Sequence, residues 1–344
     1  MSKYKLPALI AVLLLITLSI NACAGATPQT TPTFTPAPPT SAITPSPPEQ
    51  ADPTITPAPD ANIAPLPTPA AAQPRPAVLV DTQWVKVNLT EPNVRLIDVS
   101  GSKSTYDEGH LPGAVYISAI DDLSNPNDTL SAEILTADAL ITLLSGLGIT
   151  NNDTLVLYDD TNNMDASRAY WALKYYRHPE VRIYDGGRAK WLGDGETLTA
   201  DSVPTKPSQY VAGAPDPALR TTWDYVVASI GKDSTLLCDV RSDGEFAGQA
   251  ARSQRGGHVP GAIHVEWSRA VNPDGTFRSR EELSKLYRDA GFLPEKEIIT
   301  YCQVGLRAAH TWFVLHELLE YPNVRIYDGS WEEYGSKPDS PIEK

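Results

Sequence analysis

The 344-residue chain has little cysteine, a deficit of positive charge and only one long apolar run. Its three cysteines, Cys23, Cys238 and Cys302, are too few for a disulfide framework. With 28 Lys and Arg against 42 Asp and Glu, the net charge of −14 leaves no basic surface for nucleic acid. Histidine and cysteine never recur at metal-ligand spacing, so neither a metal nor another cofactor is expected. The apolar run, Leu6 to Ile20, spans about fifteen residues, short of a comfortable membrane crossing. Lys3 and Lys5 precede it, and residues 1–22 read as a signal peptide.

The end of the apolar run carries a second signal. Ile20-Asn21-Ala22-Cys23 resembles the lipobox of bacterial lipoproteins, in which the cysteine becomes the lipidated first residue. That resemblance implies an exported protein held in the cell envelope by lipid on Cys23. An ordinary signal peptide or a short membrane anchor are the alternatives. Residues 23–77 are dominated by Thr, Pro and Ala, as in Thr35-Pro36-Ala37-Pro38-Pro39. Such a stretch buries too little apolar area to offset its ordering entropy, so a disordered, semi-stiff linker is expected. If Cys23 is modified, Cys238 and Cys302 remain. A free thiol in an exported chain is an oxidation liability, so its presence suggests use.

The remainder contains an internal repeat. Leu96-Ile97-Asp98-Val99 matches Leu237-Cys238-Asp239-Val240. Gly109-His110-Leu111-Pro112-Gly113-Ala114 matches Gly257-His258-Val259-Pro260-Gly261-Ala262. Leu155-Val156-Leu157-Tyr158 matches Ile298-Ile299-Thr300-Tyr301, and Val181 to Gly187 matches Val324 to Ser330. Four matches in one order mean two copies of one domain. Within the copies, short apolar runs such as 94–99, 154–158 and 181–184 read as buried strands. Helical patterns cover 136–146, 166–176, 221–230, 280–290 and 307–319. The expected fold class is therefore α/β, each domain a mostly parallel sheet with helices on both faces. The domains are placed at 78–198 and 219–340, joined by a proline-containing linker at 199–218.

The chemistry is expected where the strand ending at Tyr301 runs into Cys302-Gln303-Val304-Gly305-Leu306-Arg307, just before a helix. Unpaired amides gather at a helix start and favour negative charge. The thiolate is the nucleophilic form of cysteine. Gly305 lets the loop curl into an anion nest, and Arg307 adds a permanent cation. Cys238 sits inside the run Leu236-Leu237-Cys238 and reads as core.

Asp239-Val240-Arg241-Ser242, Gly257 to Ala262, Tyr301 to Arg307, His310 to Leu315 and Tyr327-Asp328-Gly329-Ser330-Trp331 together resemble the rhodanese family. The nearest pattern is that of its tandem-domain thiosulfate sulfurtransferases, over about residues 80–335. The resemblance implies two tandem rhodanese-like domains, the first inactive and the second carrying a persulfide on Cys302. Gln303, Val304, Gly305, Leu306 and Arg307 would hold the donor and the persulfide sulfur. Arg241, Glu245 and Trp331 are candidates for the cleft. The first domain has Asp159 after Tyr158 where the second has Cys302, and its loop lacks cysteine.

The sequence departs from the pattern in two places. Many thiosulfate-specific members carry a cation directly after the cysteine, where Gln303 stands. Animal-type members carry arginine in the place of Glu245. The signature Cys-Gly-Ser-Gly-Val-Thr of mercaptopyruvate-specific members is absent. The expected activity is transfer of sulfane sulfur from thiosulfate to cyanide or a thiol. 3-Mercaptopyruvate as donor and a non-catalytic sulfur-binding module are the alternatives. A phosphatase or arsenate reductase is disfavoured, because such loops place arginine six residues after the cysteine and Arg307 is five after Cys302. The expected partners are a small sulfur donor and a thiophilic acceptor, with the protein a monomer. His110 and His258 are expected to steady their Pro-Gly turns.

Overall fold

A computed structural model describes residues 77–344. The expected signal peptide, Cys23 and nearly all of the Thr/Pro-rich linker lie outside the described residues. Among those described, no helix is long and apolar enough to cross a membrane.

Two five-stranded parallel sheets succeed one another along the chain. The first contains β1 (Leu79–Val80), β2 (Val94–Asp98), β3 (Val115–Tyr116), β4 (Thr154–Tyr158) and β5 (Glu180–Tyr184). The second contains β6 (Arg220–Thr221), β7 (Thr235–Asp239), β8 (Ile263–His264), β9 (Glu297–Tyr301) and β10 (Val324–Tyr327). Their orders, β1-β5-β4-β2-β3 and β6-β10-β9-β7-β8, are the same topology twice, as the repeat requires. Registers agree: Ile97 faces Leu157 in the first sheet, and Cys238 faces Thr300 in the second.

Strand alternation sorts the side chains. Leu155 and Leu157 enter one core, whereas Val156 and Tyr158 enter another on the opposite face. On β9, Ile298 and the following Cys302 share the first kind of core, and Ile299 and Tyr301 lie on the far side. Both faces are thus covered, which is why these strands read as continuous apolar runs. One core cluster draws on both domains. Helix Met164–Tyr175 packs against helix Leu306–Trp312, with Tyr170 edge-on to Phe313 at 4.8 Å.

The helix expected over 307–319 departs from a uniform α-helix. It continues past Trp312 as a π-helical stretch, Phe313–Leu318. Phe313, Val314 and Leu315 are all fully buried and belong to one core cluster. The segment expected as linker has no regular element between residues 200 and 217, but it is tied down. Ser208 N–H donates to Ser145 O, Gly213 N–H to Tyr176 O, and Tyr210 is buried. Short elements such as β1, β3 and helix Thr82–Asn88 carry too few residues for a readable period.

Candidate active site

Central strand β9 ends at Tyr301 and delivers Cys302 to the carboxyl edge of its sheet. The loop then turns at Gly305, with φ +91°, into helix Leu306–Trp312. That turn brings the Gly305 N–H to 3.1 Å from Cys302 Sγ. The N–H groups of Gln303, Val304, Leu306 and Arg307 have no acceptor among the described residues. Val304 is half-buried and Leu306 buried. The loop therefore presents a sulfur atom engaged by one amide and carries further amides left unsatisfied. Cys302 and Cys238 are both free thiols. Cys302 is only 1% exposed, at the base of the loop rather than on its rim.

A second turn clamps the cysteine from behind. Cys302 N–H donates to Ser330 Oγ at 3.1 Å, and Trp331 N–H donates to Cys302 O at 3.0 Å. Glu332 N–H donates to Gln303 O at 2.9 Å. Ser330 holds φ +48°, a left-handed conformation uncommon outside glycine. Sequence reasoning missed both Ser330 and this clamping role. The Asp-Gly-Ser-Trp run, repeated as Asp-Gly-Gly-Arg at 185–188, was the available signal.

The rim is a network of ion pairs. Arg307 donates to both oxygens of Glu245, at 2.8 and 3.0 Å. Burial acts to raise the Glu245 pKa, but Arg307 and Ser242 outweigh it and hold the carboxyl down at about 2. Burial acts to lower the pKa of Arg307, and Glu245 together with the charge of Cys302 reverses the direction. Arg307 is therefore a neutralised cation. Arg252, 67% exposed in its side chain, lies 3.8 Å from Glu245 and was missed in the sequence. Gln303 Nε2 donates to Ser253 Oγ at 3.0 Å, while its Oε1 has no partner among the described residues.

The three cleft candidates separate. Glu245 is brought to the loop through Arg307. Arg241 is 1% exposed, with its guanidinium on Asp239 and on Gly257 O. It stacks over Trp331 at 4.2 Å, and Trp331 lies in the core on the far face of the sheet from Cys302. The expectation that Arg241 and Trp331 line the cleft is corrected by strand alternation, which puts their Tyr301 neighbour and Cys302 on opposite faces. His258 Nδ1 contacts Phe246 O, and His110 Nδ1 contacts Tyr106 O, so both hold turns. A cavity of about 700 Å³ lies beside β1, lined by Asp81, Lys190 and Asp274 among others, and includes no residue of the Cys302 loop.

The matching loop of the first domain shows what happens without the thiol. Asp159 Oδ1 accepts from the N–H groups of Thr161 (3.1 Å) and Asn163 (2.9 Å), and Oδ2 from that of Ala166 (2.9 Å). The carboxylate fills its own cradle and engages three of the loop's amides. Burial, then the charge of Asp159, push the Asp165 carboxyl up to about 7. A raised carboxyl binds its proton more tightly folded than unfolded, so the contribution of Asp165 to stability is greatest below the ordinary value of 3.8 and falls as pH rises toward about 7. Asp165→Asn is expected to stabilise the protein by on the order of 2 kcal/mol at pH 8, with the gain vanishing near pH 4. Urea denaturation at the two pH values would measure it.

Comparison with known proteins places this geometry. The Rhodanese-like domain family matches residues 81–194 and again 222–337. The chain is 46% identical over 277 residues to the "Putative thiosulfate sulfurtransferase" of Mycolicibacterium smegmatis, covering 78% of this chain and 98% of that one. It is 40% identical over 280 residues to the sulfur carrier protein TtuD of Thermus thermophilus, covering 78% and 97%. Among solved structures, it resembles the anaerobic ergothioneine biosynthesis enzyme of Chlorobium limicola. The TM-score there is 0.71 at 25% identity, covering 78% of this chain and 70% of that one. A solved form of EanB with a cysteine persulfide matches at TM-score 0.70 and 25% identity, covering 78% and 70%.

Proposed function

We propose a thiosulfate-dependent activity on the premise that the chain belongs to the rhodanese family and, as two tandem rhodanese-like domains, is a sulfurtransferase. Cys302 carries the sulfur. The observation that supports this most directly is the Gly305 N–H held 3.1 Å from Sγ, with unsatisfied amides beside it. The Cys302 thiolate attacks the outer sulfur of thiosulfate. A new sulfur–sulfur bond forms, that of the donor breaks, and sulfite leaves with the electron pair. The loop amides then hold the anionic outer sulfur of the persulfide. Cyanide or a thiolate takes that sulfur in a second displacement and returns the thiolate, giving two-step covalent catalysis. The names of the relatives support thiosulfate as donor over 3-mercaptopyruvate.

The reading requires the rim to open, since Cys302 is 1% exposed. Arg307 is held by Glu245, so the donor's negative charge meets Arg252 first. The first domain, its cradle filled by Asp159, takes no sulfur. Lipidation at Cys23, with residues 23–77 as tether, would hold the enzyme at a membrane outside the cytosol.

Intact-mass measurement tests the scheme. Incubation with thiosulfate is expected to add one sulfur atom per chain, and cyanide to remove it. An unchanged mass with thiosulfate, but a gain with 3-mercaptopyruvate, would reassign the donor. No gain with either would leave a binding module.

A further inference from the structure

We infer that Arg168, on the domain without a catalytic cysteine, is a positioning residue for the Cys302 loop. The inference rests on Cys302 as the sulfur-carrying residue and assigns the first domain a share in its site. Arg168 stands on helix Met164–Tyr175 and is fully buried. Its Nη1 donates to Asp328 Oδ1 at 2.5 Å, an ion pair with both side chains 0% exposed. Its Nη2 donates to Ala132 O at 2.6 Å, which fixes the guanidinium from the first-domain side. Asp328 Oδ2 in turn accepts the Ile134 N–H at 2.9 Å. The carboxylate is thus held on both oxygens by the neighbouring domain.

Asp328 touches the loop in two ways. It opens the turn in which Ser330 Oγ accepts the Cys302 N–H and Trp331 N–H reaches Cys302 O. It also packs under Gly305: a Cβ there would stand 2.7 Å from Asp328 Oδ1 and 3.1 Å from Arg168 Nη1. Gly305 is the residue whose N–H meets the sulfur. Arg168 therefore fixes one oxygen of the carboxylate against which the nest is moulded, with the Ile134 N–H and Arg220 Nε (3.7 Å) on the other. A second tie supports the same turn, since Ser131 N–H and Oγ both donate to Glu332 Oε2 at 2.9 Å.

The pseudo-symmetric position is also tied across the interface. Asp185, the counterpart of Asp328, accepts from Phe277 N–H across the interface at 2.8 Å and from Asn163 Nδ2 of its own domain. Arg168 stands three residues before Trp171, and the residue three before Trp312 is Ala309. Arg168 thus has no arginine counterpart on the matching helix of the second domain.

Arg168→Met and Arg168→Lys variants of the full chain test this, with folding followed by circular dichroism. Arg168→Met is expected to lower kcat for thiosulfate–cyanide turnover about 30-fold while KM for thiosulfate stays within threefold. Lysine keeps a cation for Asp328 but loses the bond to Ala132 O, so Arg168→Lys should recover activity only in part, to within about fivefold of the parent. Hydrogen exchange at the Gly305 amide should accelerate at least tenfold in Arg168→Met relative to Ile299 on β9. That readout needs no sulfur donor: if the parent takes up no sulfur, the functional reading fails and exchange alone decides. Where Arg168→Met does not fold, Asp328→Asn keeps an acceptor for Ile134 and should show the same signature, with smaller effects. Folded variants with unchanged kcat and unchanged Gly305 exchange, or a lysine variant no better than methionine, would overturn the inference.

Discussion

Cys302→Ser is expected to lower sulfur transfer roughly 10⁴-fold or more while leaving stability within about 1 kcal/mol of the parent. The hydroxyl is close in size to the thiol, and the Gly305 N–H, now 3.1 Å from Sγ, would donate to Oγ instead. No buried polar group is stranded. An un-ionised hydroxyl, however, neither attacks the donor nor bears a persulfide. Cys238→Ser is expected to reverse both outcomes. Cys238 is fully buried, and burial followed by the charge of Asp239 raises its thiol pKa well above the ordinary range. A serine there buries a hydroxyl in an apolar cluster at about 1–3 kcal/mol, and turnover at temperatures where the protein stays folded is unchanged. Thiocyanate formation and urea denaturation on both variants are the measurements. Residual sulfur loading in Cys302→Ser would move the persulfide elsewhere.

Much of the fold and of the loop is readable in the sequence because the relevant signals are local. The repeat rests on short identical strings, and the parallel sheets on runs such as Leu155-Val156-Leu157-Tyr158, buried on both faces. The loop is legible because Cys302, Gly305 and Arg307 lie within six residues. The features that escape are decided by distant partners. Arg307 looks like a free cation until Glu245, 62 positions earlier, proves to hold both ends of its guanidinium. Arg241 and Trp331 carry the motif's signature but stack together behind the sheet. No periodicity marks Arg168 as a neighbour of Asp328, because their separation of 160 positions is closed only by the packing of two helices from different domains. The sequence marks Asp159 as a structural replacement for the thiol. The three amides on its carboxylate show in addition that the cradle is still formed in the first domain and is occupied from within.

Gly305→Ala should cost turnover less than loss of the thiol but still severely, by a different route. Its φ of +91° lies where an L side chain is strained, at about 1–2 kcal/mol. That cost alone would be survivable. Gly261, at φ +74° with nothing within 4 Å of an added Cβ, isolates it. At Gly305 the added carbon meets Asp328 Oδ1 at 2.7 Å, Arg168 Nη1 at 3.1 Å and Asp328 O at 3.3 Å. These atoms cannot easily give way. The carboxylate is fixed by Arg168 and by the Ile134 N–H, and the backbone oxygen belongs to the turn that clamps Cys302. The loop must move instead, and the N–H on the sulfur moves with it. The expected result is a stability loss of about 3–4 kcal/mol against about 1 kcal/mol for Gly261→Ala. In the protein that remains folded, sulfur loading should fall roughly 10²- to 10³-fold, the scale of losing an oriented amide donor at a developing anion. Urea midpoints for both alanine variants, with loading followed by intact mass, separate the two contributions. Equal destabilisation at the two glycines would show that crowding at Gly305 is absorbed, and the rigid nest would then not be what holds the sulfur.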